Sequence, residues 1–565
     1  MTTPRLPQPP VAYFSMEIGL ESDMPTYSGG LGVLAGDSIR AAADMGLPMV
    51  AVTLAHRKGY FRQQLDEHGQ QLESDEEWQP EGRLERVEPT VSVELHGTRV
   101  AIGAWKTVVP GANGAPVQVY LLDTRLPENG PEQQALTDHL YGGDLRYRLG
   151  QELVLGVGGV KMLRALGYSE VRAFHMNEGH SALLTMALLE EALSGCQAEQ
   201  VDESAIEAVR RQCVFTTHTP VAAGHDQFDL SMVRDNLGDR MVRLLEACHV
   251  IRDYRLNMTR LALLLSRWSN AVAFRHGQVS REMFPGFRIN EITNGVHSET
   301  WVAPPMKELF DHYIPGWRLV PFAFRHAIGI PLAELRRTHA ASKTRLLDYV
   351  RRETGVSLDP GVMTIAFARR AASYKRPELL FRDLERLRTI NRVAGPIQVV
   401  VAGKAHPADE MAKGLIRQVH GAARELGESI PVVYLENYNM ETAGMIVPGA
   451  DLWLNNPQRP LEASGTSGMK AAMNGVPSLS TLDGWWIEGH VEGVTGWAIG
   501  RDWNPASDEA DADALYNKLE LTVLPLFYRQ PEAYAEVMRS AIALNGSFFN
   551  AQRMMLQYDR EAYGP

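Results

Sequence analysis

Short β-branched runs alternate along this chain with longer stretches of helical period, and that alternation restricts the fold more than any other feature. Parallel strands cannot be joined by a tight turn; each pair needs a crossover of a dozen or more residues, usually a helix. The pattern is clearest in the second half. Strands are predicted over 363–370, 397–402, 431–435, 451–454 and 478–480, with helical periodicity over 374–391, 407–426 and 440–446. This implies a doubly wound, Rossmann-like α/β domain whose loops gather at the carboxyl edge of the sheet. The first half begins the same way. A strand over 11–14 precedes a glycine-rich turn that opens a helix, and further strands fall at 49–54, 173–176 and 214–217. Residues 66–125 are richer in β-type alternation and read as an insertion. The expected division is a Rossmann-like domain over 1–293 and a second over 294–565, facing each other across a cleft. Helices near 531–558 are expected to pack back across both.

Charge and cysteine usage narrow the function. The chain carries 56 basic and 68 acidic residues, a net charge of −12, so it repels nucleic acid and anionic membranes and suits a neutral substrate such as a sugar. Cys196, Cys213 and Cys248 are too widely spaced for a zinc knuckle and read as reduced thiols, which makes the cytoplasm the expected location. The first ten residues lack an apolar h-region and read as a short disordered lead, and no apolar run is long enough to span a membrane.

Several clusters carry candidate chemistry. Glu462-Ala-Ser464-Gly465-Thr466-Ser467-Gly468-Met-Lys470 places Gly, Ser and Thr before a helix and one Lys within its first turns. Such a turn can cradle a phosphate with backbone N–H groups, and a lysine held beside it can form a Schiff base with pyridoxal phosphate. Ser28-Gly29-Gly30-Leu31-Gly32 is a second glycine-rich turn, suited to a phosphate, a sugar or close helix–strand packing. Arg369, Arg370, Lys375 and Arg376 crowd one predicted strand end, where such cations need anions: a phosphate, or surface acids of the chain itself. His175, Glu178, His180 and His218 end two other strands. Their spacing fits no metal motif, so they read as polar groups lining a cleft, suited to sugar hydroxyls. Asn294 and Trp301 join the halves and offer an amide and a flat aromatic face. Ser464 lacks the setting of a nucleophile elbow.

Taken in order, these segments resemble the α-glucan phosphorylase family. The similarity runs through residues 12–17, 27–37, 46–49, 59–61, 175–180, 217–220, 292–295, 374–376, 403–405, 435–438 and 462–470, nearly the whole chain. The resemblance implies the two-domain GT-B fold, covalently held pyridoxal phosphate, and retaining cleavage of α-1,4-glucan or maltodextrin by orthophosphate to give α-glucose 1-phosphate. It also implies roles. Lys470 matches the Schiff-base lysine. Thr466, Ser467, Gly468, Gly30 and Arg369 match positions around the cofactor phosphate, and Trp301 and Tyr438 match positions packing on the cofactor. Arg370 and Lys375 match the pair holding substrate phosphate. Glu462, Ser464, Gly465, Asn294 and His218 match positions bonding the reacting glucose. Leu31 lies by its anomeric side, Gly29 is a further substrate-binding position, and Glu178 and His180 lie toward the acceptor sugar. No metal is implied, and a homodimer is one admissible state.

Some positions depart from the larger members, which commonly read Gly-Asn-Met-Lys at the lysine, small and polar residues at Trp485-Trp486, and a basic residue at Asn439. The first two features resemble a shorter bacterial and archaeal branch, in which the large members' regulatory segments and glucan storage sites are expected to be absent. Two other readings fit the sequence: a GT-B transferase using a nucleotide-glucose donor, and a non-catalytic glucan-binding homologue.

Overall fold

The computed structural model describes residues 8–193, 201–502 and 504–564. Cys196 and most of the expected disordered lead fall outside them; Cys213 and Cys248 are free and buried. Two separate sheets carry the fold. The first uses β1 (Val11–Ser15), which precedes helix α1 (Gly30–Met45), then β2 (Met49–Leu54), β3 (Thr98–Val109), β4 (Val117–Asp123), β5 (Ala173–Asn177), β6 (Cys213–Thr216), β7 (Trp268–Ala271) and β8 (Asn290–Glu291). Their spatial order is β8-β7-β6-β5-β1-β2-β4-β3. All pair in parallel except β3, which runs antiparallel to β4 and also carries the short strands Glu85–Arg86 and Val91–Leu95. Within residues 66–125, Val117–Asp123 continues the parallel sheet, and β3 with its short partners adds an antiparallel edge.

The second sheet uses β9 (Met363–Ala368), β10 (Ile397–Ala402), β11 (Val432–Leu435) and β12 (Leu452–Asn455). Helix α2 (Thr466–Met473) then leads to β13 (Ser478–Thr481) and β14 (Gly496–Ile499). The order β11-β10-β9-β12-β13-β14 is parallel throughout and is the doubly wound dinucleotide-fold order. The expected helix over 374–391 is shorter in the structure. Turns occupy Ser373–Lys375 and Leu379–Phe381, and the helix is Leu384–Val393. Pro377 disfavours helical backbone at Arg376, which sits at φ 50°.

Strand periodicity sets the cores. In β1, Ala12 and Phe14 face one core with Leu122, Phe174 and Met176, while Val11 and Tyr13 face another with α1. The final helix, Ala551–Gln557, joins that second core through Met554 and Met555, followed by Tyr558 and Tyr563. The chain's end is thus packed on the first sheet, where Tyr563 Oη hydrogen-bonds the buried ring of His175 at 2.7 Å.

The hairpin formed by Arg62–Leu65 and Gln71–Ser74 reaches from the first half to the second. Its buried Gln63 amide donates to Gly403 O at 2.8 Å. Gln71 donates to Ala405 O and accepts from Ala405 N, both at 2.9 Å. Cutting back Gln71 strands both groups in a dry contact. Gln71→Ala is therefore expected to cost about 1–3 kcal/mol, measured as a lower midpoint of urea unfolding.

Candidate active site

The carboxyl edges of the two sheets open on one cavity of about 970 Å³. It is lined from the first half by Gly29, Gly30, Leu31, Glu178, His180 and His218, and from the segment joining the halves by Asn294 and Trp301. The second half contributes Arg369, Arg370, Lys375, Tyr438, Glu462, Ser464, Gly465, Thr466, Ser467 and Lys470. Gly468, Arg376 and His175, singled out above, do not line it. A Cβ on Gly468 would lie 2.7 Å from the Trp485 ring, so this glycine serves a close helix–indole contact.

The basic cluster divides. Arg369 follows β9 directly, and its guanidinium bonds Asn455 at the end of β12. Its other nitrogen meets Glu462 Oε2 at 2.5 Å, and Lys375 Nζ meets the same oxygen at 2.6 Å. Burial pushes the Glu462 carboxyl up, but Arg369 and Lys375 together hold it down to about 2. Arg376 turns away from the cavity. It pairs with Asp511 at 2.8 Å and Asp508 at 2.9 Å, and donates to the carbonyls of Asn456 and Pro457. Its anions belong to the protein. Arg370 is exposed to the cavity, and no ion pair to it occurs among the described residues. A cavity-facing guanidinium without a carboxylate is a ready anion site.

The lysine stands on α2, whose cap, Gly465, takes φ 88°, a conformation glycine tolerates at little cost. Lys470 is buried, and burial lowers its amine to about 8, partly offset by Asp37. Its Nζ lies 3.5 Å from the centre of the Trp301 ring.

Opposite, the end of β5 carries Glu178 at φ 76°, a strained backbone for a residue with a side chain. The conformation is held by a bond from its N–H to Thr216 O at 2.9 Å. Its carboxylate accepts from His218 N–H at 2.7 Å and from Thr219 Oγ1 at 2.9 Å. His218 Nε2 donates to Asn177 Oδ1 at 2.7 Å, and burial lowers the ring to about 3, so it is neutral and Nδ1 is an acceptor. His175, read above as lining the cleft, instead points into the core between Tyr563 and Thr216.

Other cavity groups escaped the sequence reading. Glu17 accepts from Ser28 N–H at 2.6 Å, Gly29 N–H at 3.3 Å and Tyr141 Oη at 2.8 Å. The first amides of the glycine turn are therefore committed to Glu17, leaving those that begin α1 for a ligand. Tyr60, Tyr141, Tyr374 and His406 form an aromatic wall, and Arg148, Asp226 and His180 cluster behind it. The pair Gly142-Gly143 was the available signal for Tyr141; the others are assembled only by tertiary contact.

Pyridoxal phosphate combines an aromatic ring, an aldehyde and a phosphate, and the residues present fit it. Ser467 Oγ and Arg369 Nε are buried without a protein partner, which suits donors facing a phosphate, and Ser464 Oγ beside them is likewise free for a ligand. The amine of Lys470 is enclosed, and the Trp301 ring supplies an aromatic surface beside it. Among the described residues no cluster of His, Cys, Asp and Glu could hold a metal, and no helix is long and apolar enough to cross a membrane.

The profile of the Phosphorylase family, described as carbohydrate phosphorylase, matches residues 233–494. The chain is 37% identical to the maltodextrin phosphorylase of Thermococcus litoralis over 98% of this chain and 70% of that protein. The glycogen phosphorylase of Mycobacterium tuberculosis is also 37% identical, over 98% of this chain and 71% of its own. The glycogen phosphorylase of Aquifex aeolicus is 35% identical, over 98% and 86%.

Because Gly468 packs on an indole, Gly468→Ala is expected to cost about 1–3 kcal/mol by overpacking. Thermal unfolding of the single variant and of its combination with Trp485→Phe checks this. The loss should shrink in the double variant.

Proposed function

The chain belongs to the carbohydrate phosphorylase family, and from that premise we propose that it is an α-glucan phosphorylase. It cleaves the terminal α-1,4 bond of glycogen or maltodextrin with orthophosphate, reversibly, giving α-glucose 1-phosphate. The observation that carries this reading is Arg370, a cation facing the cavity without a carboxylate, in the same space as the enclosed Lys470. We assign Lys470 to hold pyridoxal phosphate, with Thr466, Ser467, Gly30 and Arg369 at its phosphate and Trp301 and Tyr438 at its ring. Bound there, the group supplies a phosphate that shares protons with the substrate phosphate, not an electron sink.

The chain's own residues do the rest. Arg370 binds orthophosphate, and Lys375 is shared between that anion and Glu462, 2.6 Å from it. Glu462 stays ionised beside its two cations and is an acceptor for sugar hydroxyls. Asn294, Ser464 and His218 add further polar contacts. A proton passes from orthophosphate to the glycosidic oxygen, the C1–O bond breaks, and positive charge builds at C1. An oxygen of the same phosphate then bonds to C1 on the face it already occupies, so configuration is retained and the glucan leaves one residue shorter. Glu178 and His180, farther along, face the acceptor sugar. The neutral glucan fits a net charge of −12, the orthophosphate depends on the local cations Arg370 and Lys375, and neither needs a nucleic acid or a membrane.

Two measurements test the reading. Borohydride reduction of protein supplied with pyridoxal phosphate, followed by peptide mass mapping, is expected to place a pyridoxyl group on Lys470. An unmodified Lys470 rejects it. Lys375→Ala is expected to lower kcat by about 10²–10³-fold, the usual loss on removing one group that stabilises transition-state charge, while fold and cofactor content stay unchanged. Normal turnover in that variant refutes the assignment.

A further inference from the structure

Asp37 is fully buried on α1, in the first half of the chain, and no role in the reaction is given to it above. A buried carboxylate is costly unless a donor or a counter-charge meets it. Its neighbour Arg40 supplies a counter-charge at a distance but no hydrogen bond. That guanidinium donates to the carbonyls of Gly19 and Leu20, and its nearest approach to Asp37 is 4.0 Å. The group that meets the carboxylate is the indole of Trp301, whose Nε1 donates to both oxygens at 3.0 and 2.9 Å. Trp301 is itself buried, and Lys470 Nζ sits over its face, 3.5 Å from the ring centre.

We propose that Asp37, Trp301 and Lys470 form an ion pair with an indole between its members, and that Asp37 is a positioning residue for the lysine amine. The carboxylate draws on the indole N–H, fixes the ring plane and enriches the face that the ammonium meets. The ring in turn holds Nζ at one place and supports its charge. The array spans the cleft, with one end on α1, the middle on the segment joining the halves and the other end on α2. It therefore ties the lysine's position to the arrangement of the two sheets. Other charged groups near it are Arg40 on α1, with Glu21 and Asp44 beyond it, and Arg369, Glu462 and Lys375 on the cavity wall of the second half. Burial favours the neutral amine and Asp37 opposes it, which agrees in direction with the array.

This inference rests on Lys470 being the cofactor lysine, but its test does not depend on turnover. The full chain without cofactor is labelled with formaldehyde and cyanoborohydride across the titration of the lysine, and modification of Lys470 is followed by peptide mass mapping. Asp37→Asn should move the labelling midpoint down by about half a pH unit, the size of an ordinary cation–π contact. Trp301→Phe keeps a ring face but loses the N–H, and should give a similar shift. The double variant should shift no further, because both changes break one chain. An unmoved midpoint in Asp37→Asn overturns the proposal. So does a shift in Asp37→Asn with none in Trp301→Phe, or full addition in the double variant, since either means that Asp37 acts through space and not through the indole. If Asp37→Asn does not fold, Trp301→Phe decides alone: an unmoved midpoint overturns the proposal. Failure of the wild-type chain to take a pyridoxyl group at Lys470 is a different result and counts against the function proposed above.

Discussion

The site depends on a topological constraint that both sheets obey: a place where neighbouring parallel strands send their connections to opposite faces. In the second sheet that place lies between Met363–Ala368 and Leu452–Asn455. The loops part there, and a crevice opens at the carboxyl ends. Arg369 and Asn455 stand on its two lips and bond across it. In the first sheet the corresponding place lies between Val11–Ser15 and Ala173–Asn177, where Asn177 Nδ2 donates to Ser15 Oγ at 3.1 Å. Two crevices facing each other make one cavity. Arg369, Arg370, Lys375, Glu462 and Lys470 enter from one side, and Glu17, Glu178, His180, His218 and the glycine turn enter from the other. A hairpin carrying Gln63 and Gln71 and a final helix bound to the first sheet hold that facing arrangement.

The departures from the larger family members become intelligible as local compensation. Trp485 occupies space directly against Gly468, so a bulky residue at 485 and a glycine at 468 require each other. Trp485 is in turn packed edge-on against Phe549, ring centres 4.8 Å apart, which fastens the lysine helix to the chain's closing helices. Asn439 is an N-cap. Its side chain accepts from Thr442 N–H at 2.9 Å and starts Met440–Gly449, a task a basic side chain cannot perform.

Much of this was legible in the sequence for physical reasons. Strands covered on both faces read as continuous apolar runs, so 397–402 and 49–54 could be placed from hydrophobicity alone. Glycine turns and crowded cations are local features, so the lysine segment and the strand-end cluster could be found before any fold was known. What sequence could not supply is which way a side chain turns once its neighbours arrive. Arg376 looked like its companions, yet its carboxylates lie more than a hundred residues away, at Asp508 and Asp511. Glu17, Tyr141, Arg148 and Asp226 meet only because separate connections converge on one edge. The helix expected over 374–391 began too early because periodicity outweighed Pro377 in that reading.

The central claim is that this cavity transfers a glucosyl group to inorganic phosphate. It is tested most directly by incubating the protein, loaded with pyridoxal phosphate, with maltodextrin and orthophosphate and following the anomeric signals by NMR. The account predicts α-glucose 1-phosphate as the first product, with retained configuration and a glucan shortened from its non-reducing end. Absence of that product, together with glucan lengthening from a nucleotide-glucose donor, contradicts it.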